Sequence, residues 1–152
     1  MKDHRSVSRI RRALASACLC LPLAACGLPH DQRGAVNDIE QSGVIRVGAA
    51  GDRAALSEEQ AWIDQLAAEM GVSVSLTEDE THALVKALRE GELDLVIGLP
   101  AETPFKKEIG MSRPYLNARL TPAKRIWAVR PGENAWLYRI DGALLRQAPQ
   151  PS

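Results

Sequence analysis

The chain has 152 residues, with 19 basic and 19 acidic side chains, and 45% of its residues are hydrophobic. That length suits one domain and is too short for a two-domain enzyme of ordinary size. The composition is that of a folded protein and excludes a disordered segment or a coiled coil. A formal net charge of zero argues against a partner such as nucleic acid, which is bound through a strong overall positive field.

The first 25 residues have the pattern of a secretory signal peptide. Residues 1–12 contain five basic side chains and one acidic one, and residues 13–23 are apolar or small. This apolar run has about half the length that a membrane-spanning helix needs. A basic stretch followed by a short apolar stretch therefore predicts a signal peptide and not an anchor helix.

Cys26 carries the prediction of a lipid anchor. The residues Leu23-Ala24-Ala25-Cys26, followed by Gly27, resemble the lipobox of bacterial lipoproteins. The resemblance implies cleavage before Cys26 and acylation of this cysteine, for example with palmitate, which gives stable membrane anchoring. The alternative is an ordinary secretory peptide with an incidental cysteine. We therefore expect a lipoprotein on the periplasmic face of an envelope membrane, inner or outer.

Removal of the signal peptide changes both the charge and the cysteine count. Residues 26–152 contain 14 basic and 18 acidic side chains, a net charge of −4. Cys18 and Cys20 leave with the peptide and Cys26 carries lipid, so we expect no disulfide and no cysteine-based metal site. Residues 26–35 are predicted to form a lipidated tether, residues 36–146 a single α/β lobe, and residues 147–152 a disordered tail.

Within the lobe, strand patterns alternate with helix patterns. Apolar and β-branched runs predict strands at residues 44–47, 72–76, 93–98 and 125–129. Apolar residues at helical spacing predict helices at 57–70, 81–90 and 134–145, with Gly71 and Gly91 ending the first two. Ser57 and Gln60 have the spacing of a capping box. The alternation predicts an α/β fold with a mostly parallel sheet of about four strands and helices on both faces.

The chain contains no complete enzyme signature. The glycines at 48 and 51 do not form the GxGxxG pattern of dinucleotide binding. Residues 110–114 lack the second glycine of a nucleophile elbow. His30 and His82, the histidines after residue 26, have no partners at a metal-binding spacing. We therefore expect a protein that is not an enzyme and that has no cofactor and no metal.

Polar side chains instead follow two of the predicted strands. Ligands of parallel sheets bind in the loops beyond the carboxyl ends of the strands. Candidate ligand-binding residues follow the first and third strands, and they are Asp52, Arg53, Thr103, Lys106, Ser112 and Tyr115. Opposite charges and hydroxyls at one sheet edge suit a small polar or zwitterionic solute. The alternative is a surface loop with scattered, solvated charges.

Three stretches resemble the family 3 bacterial extracellular solute-binding proteins, which have the periplasmic substrate-binding protein type 2 architecture. They are IEQSGVIRVGAAGD (39–52), LVKALREGELDLVIGLPAETPFKKEIGMSRPYL (84–116) and RIWAVRPGENAWLYRIDGALL (125–145). In the second stretch, the apolar strand, Thr103-Pro104 and the Ser112 to Tyr115 element match the family's motifs in order. The resemblance implies the fold of one lobe of a periplasmic binding protein.

Two departures from the family pattern bear on the ligand. Lys106 stands where family members that bind amino acids carry an arginine, and a lysine cannot hold a carboxylate through a planar fork. No aromatic residue follows the first strand, where Asp52 and Arg53 lie instead. The family has two lobes, but only eight residues separate Tyr115 from Lys124, so this chain is interpreted as a short, single-lobe member.

The resemblance implies a protein that captures a small polar solute, such as an amino acid-like compound, for an ABC-type transport or sensing system. Its expected partners are a permease or a second lobe-bearing protein, and the membrane through the lipid on Cys26. The alternative is a degenerate lobe that acts as an envelope protein–protein interaction module without solute binding. An uneven charge distribution motivates it: residues 26–102 carry 5 basic and 15 acidic side chains, and residues 103–152 carry 9 and 3.

Overall fold

The structure is a computed structural model that describes residues 29–51, 53–117 and 123–149. The predicted signal peptide, Cys26 and Asp52 lie outside these ranges. The helices and strands follow one another in the order α1 (Ala35–Ser42), β1 (Val44–Ala49), α2 (Ser57–Met70), β2 (Ser73–Glu78), α3 (Thr81–Glu90), β3 (Leu95–Pro100), β4 (Gly110–Met111), β5 (Arg125–Val129) and α4 (Asn134–Gln147).

The strands form one mixed sheet in the order β2-β1-β3-β5-β4. Strand β1 runs parallel to β2 and β3, whereas β5 runs antiparallel to β3 and β4. The predicted α/β fold is confirmed, and the sheet has a parallel half and an antiparallel half. Strand β4 was not predicted, because a strand of two residues carries no periodic signal.

Helices cover both faces of the sheet, as predicted. Side chains of α1, α2 and α4 pack on one face, and those of α3 pack on the other. Strand β3 contributes to both layers, with Leu95 and Ile97 on the first face and Val96 and Leu99 on the second. Because β3 is buried on both faces, its sequence is continuously apolar and does not alternate with polar residues.

Gly98 determines how β3 meets the loop that follows β1. Its φ of +81° interrupts the alternation, and the pairing of β3 with β5 shifts register between Val96 and Leu99. A Cβ atom at Gly98 would lie 2.6 Å from the carbonyl oxygen of Ala50. Only glycine satisfies both the positive φ and this close approach. The carboxyl ends of β1 and β3 are therefore held against each other.

Glycines also end two helices as predicted, whereas the predicted capping box is wrong. Gly71 and Gly91 adopt left-handed conformations after α2 and α3, with φ of +70° and +83°. Ser57, however, is the first residue of α2 and not its cap, and the capping residue Leu56 has no side-chain oxygen to offer. The loop after β1 enters the helix through a turn, which displaces Ser57 from the capping position.

The segment before α1 is part of the folded body, in contrast to the predicted tether of residues 26–35. Asp31 is 8% exposed. Its Oδ2 accepts a hydrogen bond from the Val36 N–H (3.0 Å), and its Oδ1 accepts one from the Trp136 N–H (2.9 Å). Glu133 Oε2 in turn accepts the Ala35 N–H (3.1 Å). Asp31, a residue of the predicted tether, thus satisfies N–H groups at two helix N-termini.

The C-terminal end shows a smaller difference of the same kind. Helix α4 continues to Gln147, and Ala148 is buried. The Pro149 carbonyl accepts a hydrogen bond from the Leu116 N–H (3.0 Å). Residues 147–149 therefore pack on the lobe, and the rest of the predicted tail lies outside the described residues. No helix in the described ranges is long and apolar enough to cross a bilayer.

Candidate functional site

Arg53 lies at the carboxyl edge of the parallel strands, as the sequence predicts. It follows β1, and its Nε donates a hydrogen bond to Oε1 of Glu78, the last residue of β2. The two side chains are 63% and 43% exposed. Arg53 is thus available to solvent but already has a carboxylate partner.

The loop after β3 holds Lys106 in a similar exposed pair. Lys106 Nζ lies 2.7 Å from Oε2 of Glu102, and this hydrogen bond and positive charge lower the pKa of Glu102. Thr103 is buried, and its Oγ1 accepts a hydrogen bond from the Phe105 N–H (3.4 Å). Thr103 therefore shapes the turn, while Lys106 presents a charge at the surface.

Ser112 lies just after β4 and is buried. Its Oγ accepts a hydrogen bond from the Trp127 N–H (2.8 Å), and its O–H donates to the Arg113 carbonyl (2.9 Å). The Ser112 N–H also donates to the Trp127 carbonyl (2.9 Å). The hydroxyl therefore uses its donor and an acceptor position to extend the pairing of β4 with β5.

Tyr115 is fully buried in the core. Its ring makes edge-to-face contacts with Trp62 and Trp127, at centroid distances of 5.5 and 6.2 Å, a geometry that adds to the stability gained from burial. Its backbone exchanges two hydrogen bonds of 2.9 Å with Arg125. Among the predicted site residues that the structure describes, no hydrogen bond or ion pair joins one to another.

Sequence reasoning missed a buried polar cluster, defined here as Glu59, Tyr115, Asn117 and Trp127. Glu59 on α2 is fully buried, and its Oε1 accepts a hydrogen bond from Asn117 Nδ2 (3.0 Å). The Glu59 Oε2, the Tyr115 hydroxyl and the Trp127 indole N–H make no hydrogen bond of standard distance and angle. The cluster therefore has polar atoms that are only partly satisfied.

Burial dominates the protonation of this cluster. It raises the pKa of Glu59, and weaker polar contacts with Tyr115, Asn117 and Trp127 offset this only in part. Burial, followed by the nearby Glu59 carboxyl, also raises the pKa of Tyr115 well above its ordinary value. One signal in the sequence could have identified Glu59: it lies four and seven residues before Ile63 and Leu66, on the apolar stripe of its helix.

One groove borders the loop that carries the candidate residue Lys106. It has a volume of about 670 Å³ and runs along α3, between this helix and the segment that contains Phe105 and Lys107. His82 lies on its wall, with its ring 5.7 Å from that of Phe105. No group of three or more metal-binding side chains occurs within residues 29–51, 53–117 and 123–149.

Comparison with known proteins gives matches only at the level of structure. No family model and no curated protein matches the sequence. The arginine-bound form of domain 1 of the T. maritima arginine-binding protein matches with a TM-score of 0.62 at 20% identity, over 72% of this chain and 97% of that one. A mutant of the same arginine-bound domain matches with a TM-score of 0.64 at 20% identity, over 73% and 96%.

An ancestral cationic amino acid solute-binding protein matches with a TM-score of 0.62 at 14% identity, over 73% of this chain and 92% of that one. These identities are low, so the similarity concerns the fold. It agrees with the fold implied by the sequence motifs at 39–52, 84–116 and 125–145. The chain therefore has the fold of one lobe of an amino-acid solute-binding protein.

Proposed function

We propose that the chain is a lipid-anchored, solute-binding lobe that captures a small polar solute for an ABC-type transport or sensing system. One observation carries the proposal. The matching structure of the T. maritima protein is a single domain in an arginine-bound form. A lone lobe of this fold therefore holds an amino acid in that protein, and a second lobe is not a precondition for capture.

The exposed ion pairs at the carboxyl edge suit an amino acid-like solute. Arg53 with Glu78 and Lys106 with Glu102 offer both signs of charge. Exposed pairs of this kind contribute about 0–1 kcal/mol each, so opening them costs little. A solute carboxylate then takes the place of Glu78 or Glu102, and a solute ammonium takes the place of a cation. Asp52 is proposed to contribute a further carboxylate.

Three of the candidate ligand-binding residues are buried and are proposed to support the loops at this edge. Thr103, Ser112 and Tyr115 lie 3%, 4% and 0% exposed. We propose that they hold the loops that carry Arg53 and Lys106, and that they touch solute only where these loops open. A single lobe covers one side of its solute, so the affinity is expected to be weak unless a permease or a second lobe-bearing protein covers the other side.

A thermal-shift series tests solute capture directly. The protein is the mature chain from residue 26 with Cys26→Ser, and the probes are arginine, other amino acids, polyamines and small organic acids. A ligand at ten times its Kd stabilises the folded state by about 1.4 kcal/mol. We expect Arg53→Gln and Lys106→Gln to reduce the shift. Arg139→Gln on the exposed side of α4 is the matched control. A folded protein with no shift at millimolar concentrations of every probe contradicts the proposal.

We infer a non-enzymatic role on the basis of burial. One matched ancestral amino acid-binding protein is described as a precursor of cyclohexadienyl dehydratase, so the fold alone does not decide the matter. Glu59 is the described carboxyl group with a raised pKa, the property expected of a general acid. It has no exposed surface, so a substrate has no access to it.

The alternative function is an envelope protein–protein interaction module without solute binding. It is favoured by the internal use of the Thr103 and Ser112 hydroxyls, which leaves few hydroxyl groups for a solute. Pull-down from membranes with the native chain and with a Lys106→Gln, Lys107→Gln variant tests it. Loss of a partner in the variant supports the module, whereas an unchanged set of partners excludes docking through these two lysines.

A further inference from the structure

The groove along α3 is strongly basic. Its lining includes the cationic side chains of Arg33, Lys86, Arg89, Lys107 and Arg130, against two carboxylates. The apolar side chains of Val85 and Phe105 also line it. These residues come from α3, from the segment before α1, from the loop after β3 and from the end of β5. The fold thus brings together cations that are far apart in the sequence.

Acidic side chains pair with three of these five cations and leave two without a partner among the described residues. Arg89 pairs with Glu108 at 2.6 Å, Lys86 approaches Glu90 at 4.0 Å, and Arg130 lies 3.4 Å from Glu133. Arg33 and Lys107 form no ion pair within the part of the chain that the structure describes. The buried Nε of Arg130 also has no hydrogen-bond acceptor there. Arg33 and Lys107 are therefore the exposed cations of the groove that remain open to an anionic ligand.

Arg33 lies close in sequence to the proposed lipid anchor at Cys26. Arg33 is seven residues after Cys26, and seven residues span at most about 25 Å when fully extended. The two hydrogen bonds of Asp31 tie the segment before α1 to both α1 and α4. Arg33, two residues later, is therefore held close to the lobe. A lipid on Cys26 therefore keeps the basic groove within reach of the lipid headgroups.

We propose that the α3 groove binds the phosphate groups of anionic phospholipids, so that this face of the lobe lies on the anchoring membrane. The inference rests on the lipid-anchor part of the proposed function. Each lysine or arginine near an anionic surface strengthens binding about fivefold. In this orientation the opposite face, with α1, α2 and α4, points away from the bilayer.

Vesicle sedimentation tests the groove without the contribution of the lipid anchor. The mature chain from residue 26 with Cys26→Ser is mixed with phosphatidylglycerol-containing vesicles or with pure phosphatidylcholine vesicles. We expect binding only to the anionic vesicles, weakened by salt. Arg33→Gln with Lys107→Gln is expected to lower the partition coefficient about 30-fold. Arg139→Gln with Arg146→Gln on α4 makes the same change in net charge and is expected to change it less than twofold.

Several results would overturn the proposal. They are equal binding to both kinds of vesicle, equal losses in the two double variants, and no vesicle binding by the native side chains. Inorganic phosphate that shifts the melting temperature at millimolar concentration, without vesicle binding, would instead indicate a soluble phosphate ligand. Retention of an acidic envelope protein in detergent, again without vesicle binding, would indicate a protein partner.

The lipid anchor and the groove can be tested separately. Labelling cells with a fatty-acid analogue reports on Cys26 alone. A labelled protein whose Cys26→Ser form ignores anionic vesicles removes the groove proposal and keeps the anchor. An unlabelled protein whose Cys26→Ser form binds them supports the groove and removes the anchor. Solute capture at the carboxyl edge is measured independently by the thermal-shift series.

Discussion

The carboxyl edge of the sheet and the groove along α3 use polar side chains in opposite ways. At the edge, the Ser112 hydroxyl accepts a hydrogen bond from the backbone N–H of Trp127, and Tyr115 has no exposed surface. Along α3, five cations face a groove with two carboxylates. Polar residue types therefore indicate a ligand site only under two conditions. Their polar atoms must lack partners within the protein, and they must lie at an accessible surface.

This contrast has a structural cause. The edge lies where α2, β4 and β5 converge, so hydroxyls there are enclosed and must find partners within the protein. Among the described helices, α3 is the one that packs on its face of the sheet. Its side chains Lys86 and Arg89 are exposed to solvent. These long cationic side chains can remain hydrated, which makes an excess of one charge tolerable.

The largest expected effect is at Gly98, on which the carboxyl edge depends. Gly98→Ala places a side chain at a φ of +81° and 2.6 Å from the Ala50 carbonyl oxygen. We expect it to lower the free energy of unfolding by about 3 kcal/mol. Gly43→Ala is the matched control, because Gly43 has a φ of +70° but no atom within 4 Å of its Cβ position. It should cost about 1 kcal/mol. Urea unfolding measures both, and equal losses would show that the close approach contributes nothing.

A substitution at Ser112 tests whether its hydroxyl at the carboxyl edge stabilises the fold or binds a solute. Ser112→Ala leaves the buried Trp127 N–H without its acceptor, and we expect a loss of about 2 kcal/mol in the free energy of unfolding. Lys106→Gln, at an exposed pair, should change it by less than about 0.5 kcal/mol. If Ser112→Ala instead leaves stability intact and weakens a solute-induced thermal shift, its hydroxyl belongs to the ligand site.

The fold was predictable from local signals that the tertiary structure leaves unchanged. The apolar strand 95–100 and the glycines that end α2 and α3 act through backbone geometry and burial, and both are visible in sequence. Strand β4 was not predictable, since its two residues pair only because β5 lies beside them. Residues 31–35 looked like a tether because Asp31 accepts a hydrogen bond from the Trp136 N–H, which lies 105 positions further along the chain.

The two candidate regions differ in how much of them the sequence reveals. The order of strands places Arg53 and Lys106 at the carboxyl edge, and the structure confirms that each lies in a loop there. The groove had no such signal, because three of its cations come from the acidic stretch 26–102 and two from the basic stretch 103–152. A charge count along the chain cannot detect a surface that only folding assembles.

The buried polar cluster should make stability depend on pH. The pKa of Glu59 is raised in the folded state, so its contribution is present below its ordinary pKa of 4.5 and is lost as the pH rises through the raised value. Glu59→Gln keeps the acceptor for Asn117 and removes this titration. We expect the two proteins to be equally stable near pH 4. At pH 8 the variant should be more stable by about 1 kcal/mol, the lower end of the cost of an incompletely paired buried polar group.

Unfolding curves from pH 4 to pH 8 measure this difference, with Glu58→Gln as the control, because Glu58 is a partly exposed carboxyl group on the same turn of α2. A constant difference between native protein and Glu59→Gln across this range would mean that the carboxyl group does not titrate there. A native protein that gains stability over the variant with rising pH would reverse the sign and show that Glu59 is better paired when ionised.

The smallest expected effect on stability is at the groove along α3. It distinguishes side chains that serve recognition from those that stabilise the carboxyl edge. Arg33 and Lys107 are exposed, and they have no ion pair among the described side chains. Arg33→Gln with Lys107→Gln should therefore change the free energy of unfolding by less than about 0.5 kcal/mol. A loss above about 1 kcal/mol would make these cations part of the fold and would invalidate the variant as a probe of binding. An unchanged stability together with weaker vesicle binding would assign them to recognition, because cations that do not stabilise the folded state have no structural reason to collect in one groove.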